Sequence, residues 1–448
     1  MVRALSQWVL SDAKFYAPQN FQIYMSYQPF HTAHWTETAE IGCIAAMLLS
    51  IPFSSGVTLA FAAAWLLTLI LKNSLLKRWS FFGFHQDKSY QNDKTPVFLY
   101  LMMAYWLLYC VSMLWTENKE QGGVEIGSLV WMFVFPLMYA VTDFRQVTKQ
   151  HVRLMLWLFV VEMSVLFIVR FVVVASRYNP DDDDFIWYMM TQANEFYIIH
   201  HSYMALYLLT GLAFLYSEIW KVKQSEKKKL MMPLLTVCAC CLVLFLLCIN
   251  SRAGLLCLLL MVAMCLAHLA FVRKMYKLGA VSLVVVVLLA ASFHFVLPEH
   301  FRNLSKTVTQ LVSGDTSDGR IEIMGNAFQV VKENPLLGVG AGDRLDVLRP
   351  FYATPENPNE SFYNPHNQYL DTWMTTGVVG LLLMLALMLV PMVYAWHRKN
   401  IFMLLTIMMI AVSMLFESML ERQMGYVFVA LIMTLFAIDG EKIQKLGC

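Results

Sequence analysis

Long apolar runs, each close to the length of a bilayer-crossing helix, dominate the pattern along this chain, with polar residues gathered between them. A helix rises about 1.5 Å per residue, so about 20 apolar residues cross the hydrocarbon. Read this way, the sequence predicts twelve spans at roughly 38–54, 56–72, 96–116, 123–142, 152–176, 197–218, 230–250, 252–272, 277–297, 370–396, 401–418 and 423–439. The first two are short and are separated only by Ser54-Ser55-Gly56. The expected fold is an all-α polytopic membrane protein, a single transmembrane domain over 1–448 with a long, partly helical loop between spans nine and ten.

Composition agrees. Of 448 residues, 58% are hydrophobic and only 14% charged, too few to cover a soluble surface. Residues 1–37 contain Asp12, Lys14, Gln19 and Asn20, lack a signal-peptide core, and are read as a cytoplasmic lead segment. A net charge of +2 gives no reason to expect nucleic acid. Basic residues are nevertheless one-sided. With the N-terminus inside, the inner segments hold Lys72, Lys77, Arg78, Lys88 and Lys94, then Arg145, Lys149 and Arg153. Lys221, Lys223 and Lys227 to Lys229 follow, then Arg273, Lys274 and Lys277, then Arg398 and Lys399, then Lys442 and Lys445. The short outer loops hold only Lys119, Arg177, Arg252 and Arg422, so the positive-inside rule places both termini in the cytoplasm.

Two outer segments stand apart. One, about 177–196, carries Asp181 to Asp184, read as a solvated loop. The other, 298–369, is too long to be a simple connector. In it Asp318 is placed to cap a helix from Gly319 to Glu333, ended by Asn334-Pro335. A permissive turn, Gly338 to Gly342, follows, then an Asn/Pro-rich stretch from Pro355 to Pro365. The nine cysteines include Cys238, Cys240 and Cys241 inside a span, read as small apolar filler; no metal site is expected.

The chemistry concentrates on the outer side. In Asn364-Pro365-His366-Asn367, Asn364 suits an N-cap and Pro365 a first helical position, so His366 is expected in the first turn of the tenth span. The partial positive charge of a helix N-terminus suits an imidazole that accepts a proton rather than one that already carries it. Trp373, Gly377 and Gly380 would share His366's face and let helices pack closely below it. Arg252, in Asn250-Ser251-Arg252-Ala253-Gly254, is a polar break in a long apolar stretch. It reads as an interfacial arginine or as a phosphate clamp, since guanidinium pairs bidentately with phosphate oxygens. Arg320 opens the loop helix with the same two readings of surface charge and clamp. All three lie at expected helix N-termini on one side, where anions bind. Weaker candidates for substrate contact are His201, Tyr203, Asn367, Glu417 and Arg422. Glu162 and Arg170 share a face of the fifth span with no role assigned.

His366-Asn367, nine residues, then Gly377-Val378-Val379-Gly380 resembles the His-Asn-x9-Gly-x-x-Gly signature of O-antigen ligases. Arg252-Ala253-Gly254-Leu255-Leu256 is similar to that family's Arg-x-x-x-Leu element. The stretch from Gly319-Arg320 through Asn334-Pro335-Leu336-Leu337-Gly338-Val339-Gly340 resembles the long loop of the O-antigen ligase and polymerase superfamily, and Glu417 to Gly425 its last outer turn. The resemblance covers about 250–425. It implies a bacterial inner-membrane glycosyltransferase with a periplasmic catalytic loop at 298–369 and metal-independent, inverting chemistry without a cofactor. The implied donor is a glycan on undecaprenyl diphosphate, and the acceptor lipid A–core in lipopolysaccharide assembly, or a growing glycan in a polymerase. His366 would be the base, and Arg252 and Arg320 would bind the donor diphosphate. An anion transporter is the alternative from another class; the clustering of polar groups in an outer loop and the lack of an internal repeat argue against it.

Overall fold

The computed structural model describes residues 30–76, 95–141, 147–179, 185, 188, 199–223, 228–249, 251–284, 319–352 and 364–440, and among them every regular element is helical. In chain order these are α1 (Phe30–Ser50), α2 (Ser55–Leu76), α3 (Val97–Ser112), α4 (Lys119–Leu129), α5 (Trp131–Val141), α6 (Lys149–Ala175) and α7 (His201–Lys223). They continue with α8 (Lys228–Cys248), α9 (Arg252–Ala267), α10 (Gly319–Glu333), α11 (Arg344–Tyr352), α12 (Gln368–His397), α13 (Ile401–Ser413) and α14 (Gln423–Gly440). Among the described residues seven helices are long and apolar enough to cross a membrane, and three shorter apolar helices accompany them. The protein is a multi-pass membrane protein. The expected count of twelve spans rests in part on 277–297, most of which lies outside the described residues.

The bundle is built around α7 and α14. Almost all of α7 from Ser202 to Leu215 is buried, as is α14 from Tyr426 to Ile438. A helix that is apolar on every side belongs in the centre, where neighbours rather than lipid surround it. Phe402 joins the two, meeting Phe214 at 5.5 Å and Phe436 at 5.1 Å, and Phe214 packs edge-on to Trp157 of α6.

Several boundaries differ from the hydropathy reading. The first helix begins at Phe30 rather than at 38, and within it Glu40 pairs with Lys72 of α2, 2.7 Å away with both side chains buried. The expected fourth span starts at Lys119 and is broken between α4 and α5 at Val130. The loop helix runs from Gly319 to Glu333 as expected, while its expected cap, Asp318, lies outside the described residues. A second loop helix, α11, was not expected, and it holds Pro350.

The described part of the long loop lies on α12. Ala327, Val330, Val331 and Leu348 form a small core with Met374, and Phe328 meets Trp373 edge-on. Between α10 and α11 the chain runs alongside a break in α12. Val339 N donates to Met374 O (2.8 Å), Gly340 N to Thr375 O (2.9 Å), and Val378 N to Pro335 O (3.0 Å). A broken helix exposes backbone groups that must find partners, and the loop supplies them. The same loop is tied to the start of α4: Asp343 accepts from the backbone N–H groups of Glu117 (2.8 Å) and Asn118 (2.7 Å).

Candidate functional site

His366 is not in the first turn of a helix. α12 begins at Gln368, and its N-cap is Asn367, whose side chain accepts from Leu370 N at 3.0 Å. Two asparagines competed for the cap. Asn364 instead closes a turn: its side-chain oxygen accepts from His366 N at 2.9 Å, and its amide donates to Glu421. His366 is left in the left-handed region, φ +47. That conformation is uncommon for a residue with a Cβ and persists only where surroundings hold it. The expected stripe below His366 fails with it. Gly377 (φ +70, ψ −166) is the break in α12, and its place is against the loop rather than on a helix–helix face.

His366 Nδ1 stands 3.1 Å from Glu417 Oε1. Glu417 is buried, although the sequence suggested an interfacial residue or a contact to substrate hydroxyls. Its other oxygen accepts from Ser202 Oγ at 3.3 Å and lies 4.0 Å from His200 Nδ1. Of the two adjacent histidines, then, it is His200 that turns toward Glu417, with its ring 4.0 Å from that of His201. An ionised carboxylate only accepts hydrogen bonds. Glu417 therefore selects the tautomer with the proton on Nδ1 and leaves the His366 Nε2 lone pair available.

A buried ionic cluster adjoins this pair, and sequence reasoning missed it. Arg344, at the start of α11, meets Asp371 of α12 through both carboxylate oxygens (2.8 and 3.0 Å), Glu125 of α4 (2.9 Å) and Glu421 (3.5 Å). Burial disfavours the guanidinium charge, and the three carboxylates more than offset it, raising the Arg344 pKa. Burial pushes Glu421 above the usual carboxylate range, opposed by Arg344 and by the Asn364 hydrogen bond. Gln368 ties the cluster to the last turn, accepting from Leu420 N at 2.6 Å. The available signals were Asp371 one turn into an apolar helix, Glu125 inside an expected span, and Arg344 two residues after the glycine run.

The remaining candidates are placed as follows. Arg252 is the exposed first residue of α9, capped by Ser251, whose Oγ accepts from Gly254 N at 3.1 Å. It shares the end of the bundle that carries Glu417: one turn further on, Cys257 Sγ lies 3.6 Å from Ser413 Oγ at the end of α13. Arg320 is in the first turn of α10, with its side chain outside the described residues. Tyr203 is buried, its hydroxyl donating to Ser418 O at 3.4 Å. Arg422 is exposed and its carbonyl accepts from Gly425 N. Among the described residues no three His, Cys, Asp or Glu side chains gather as a metal ion would require, and Asp181 to Asp184 lie outside them.

The fold and this cluster define a multi-pass helical membrane protein with an imidazole–carboxylate pair and a buried arginine network at one end of its bundle. Residues 236–385 match the model of the O-antigen ligase family. That span holds Arg252, Arg320, Arg344, His366, Asp371 and Gly377, while Glu125, Glu417 and Glu421 reach the cluster from outside it. A comparison with curated proteins finds no match.

Proposed function

We propose that the protein is a glycosyltransferase that moves a glycan from undecaprenyl diphosphate to lipid A–core at the periplasmic face of the inner membrane. The observation that carries this reading is the His366–Glu417 pair, 3.1 Å apart, within the domain's polar end. With Nδ1–H held by Glu417, Nε2 accepts the proton of an acceptor hydroxyl. The hydroxyl oxygen forms the new bond to the donor's anomeric carbon as the bond to diphosphate breaks. The diphosphate leaves with the electron pair. Arg252 and Arg320 are assigned to hold it and stabilise its growing charge. Glu417 orients the ring and stabilises the imidazolium formed, as the carboxylate does in a hydrolytic triad. No metal is assigned a role.

The test is a defined transfer assay. Purified protein receives undecaprenyl-diphosphate-linked glycan with lipid A–core or with no added acceptor, in buffer containing EDTA. Product on lipid A–core is the expected result. Chain growth on the lipid-linked glycan alone identifies a polymerase instead, and an absolute requirement for a divalent ion refutes the metal-independent mechanism.

A further inference from the structure

The end of the bundle opposite His366 holds a cavity of about 360 Å³ that the proposed reaction does not use. Six cationic side chains line it: Lys149 and Arg153 from α6, Lys221 from α7, Arg273 beyond α9, and Arg398 and Lys399 from the α12–α13 link. Among the described residues no acidic side chain lines it. One carboxylate, Glu218, lies fully buried beneath, accepting from Arg153 Nε (2.7 Å), Lys221 Nζ (2.8 Å) and Trp157 Nε1 (3.2 Å). Among the described residues, then, the lining of this cavity is basic, with Glu218 beneath its floor.

The cations are held in place. Arg273 stacks on Trp220, 4.4 Å from the ring centre. Arg398 and Lys399 occupy a tight turn between two helices, with Lys399 at φ +52 and Asn400 N bonded to Ala395 O at 2.9 Å. Between them the floor is apolar, made by Leu156, Phe214, Phe402, Ile432, Leu435 and Phe436. A free anion would satisfy the rim and leave this floor wet. An amphiphile satisfies both, and the cavity sits where the membrane-crossing helices end.

We propose that this cavity binds the headgroup of an anionic phospholipid, with the phosphate among Arg273, Arg398 and Lys399 and the glycerol and upper acyl carbons on the apolar floor. The site goes beyond the transfer reaction, since it lies at the other end of the bundle from His366. It gives the basic end of the protein a lipid ligand.

The full-length protein would be placed in nanodiscs of phosphatidylcholine with or without phosphatidylglycerol, and phosphatidylglycerol retention by native mass spectrometry and the melting temperature followed. Wild type is expected to retain phosphatidylglycerol and to melt higher with it. Arg273→Gln/Lys399→Gln should bind it about 30-fold more weakly, taking about fivefold for each basic residue near the membrane surface. Its melting temperature in phosphatidylcholine alone should match wild type. Ser217→Phe, which fills the cavity without changing charge, should also exclude the lipid. Lys228→Gln/Lys229→Gln, two exposed cations of the same end that do not line the cavity, should leave binding intact. Equal loss in both double variants, equal stabilisation by inorganic phosphate, or no retention by wild type would each overturn the proposal.

Discussion

Gly377 and Leu336 meet backbone to backbone: the carbonyl group of Leu336 occupies the space that a Cβ on residue 377 would need. Gly338 meets the same break from the other side, where a Cβ would stand 2.6 Å from the carbonyl of Thr375. Both glycines have positive φ, +70 and +69. The Gly-x-x-Gly signature and the Asn-Pro-Leu-Leu-Gly-Val-Gly run are therefore the two halves of one joint. It seats the long loop on α12, and with the loop it seats Arg344.

Gly377→Ala should undock the loop. The left-handed backbone alone costs about 1–3 kcal/mol for a residue with a Cβ, and the clash with Leu336 adds to it. Expected are a lower melting temperature and lost transfer activity. Gly325→Ala in α10 is the comparison: a Cβ there meets nothing within 4 Å. It should be neutral or stabilising by up to about 1 kcal/mol through helix propensity. Equal effects from the two substitutions would contradict the joint.

His366→Ala should cut turnover by about 10²–10⁴-fold, the usual contribution of a positioned base, with donor affinity largely kept. Glu417→Gln should lower turnover in the same direction, because an amide can donate to Nδ1 and favour the wrong tautomer. Turnover and donor binding of each purified variant decide this. A His366→Ala enzyme that binds donor poorly yet turns over normally at saturation would make His366 a phosphate ligand.

Arg252→Ala and Arg320→Ala should each weaken donor binding about tenfold or more, since a hydrogen bond to a charged group contributes about 1.5–3 kcal/mol. Arg→Lys should restore only part, because an ammonium lacks the bidentate fork. Binding of a diphosphate-linked lipid analogue measures it. Unchanged affinity in both variants would return these arginines to interfacial roles.

Arg344→Ala should destabilise the protein by about 3–5 kcal/mol, the cost of leaving buried partners without their counter-charge. Arg344→Lys should recover part of it, as one ammonium cannot meet Asp371, Glu125 and Glu421 together. Thermal unfolding in detergent gives the comparison, and a loss below 1 kcal/mol for Arg344→Ala would make the cluster incidental.

Glu421 carries a pH signature. Its pKa is raised in the folded protein, by burial first. A raised folded value means the folded state holds the proton more tightly. The stability this contributes is full below the unfolded value, about 4.3, and is lost as pH rises through the folded one. Glu421→Gln removes that loss. Its melting temperature relative to wild type should therefore climb as pH rises from about 4 toward neutral. A pH-independent difference would show that Glu421 titrates normally.

Much of this protein was legible in one dimension. Span positions follow from runs of apolar residues, and α10 ends where Asn334-Pro335 says it must, because hydropathy and helix-stop chemistry act over a few neighbouring residues. His366, Glu417 and Arg252 stood out for the same reason, as polar residues at the edges of apolar runs. Which asparagine caps α12 was not local. Asn364 is drawn off by Glu421, 57 residues away in the chain, and Asn367 takes the cap in its place. The Arg344 cluster joins four separate segments, and each of its members alone resembles an ordinary surface charge. The cavity at the basic end is the same case, for the sequence put Lys149, Arg273 and Arg398 on one side, and only packing drew them around one space. A buried charge is tolerated when partners surround it, and those partners come from the tertiary fold.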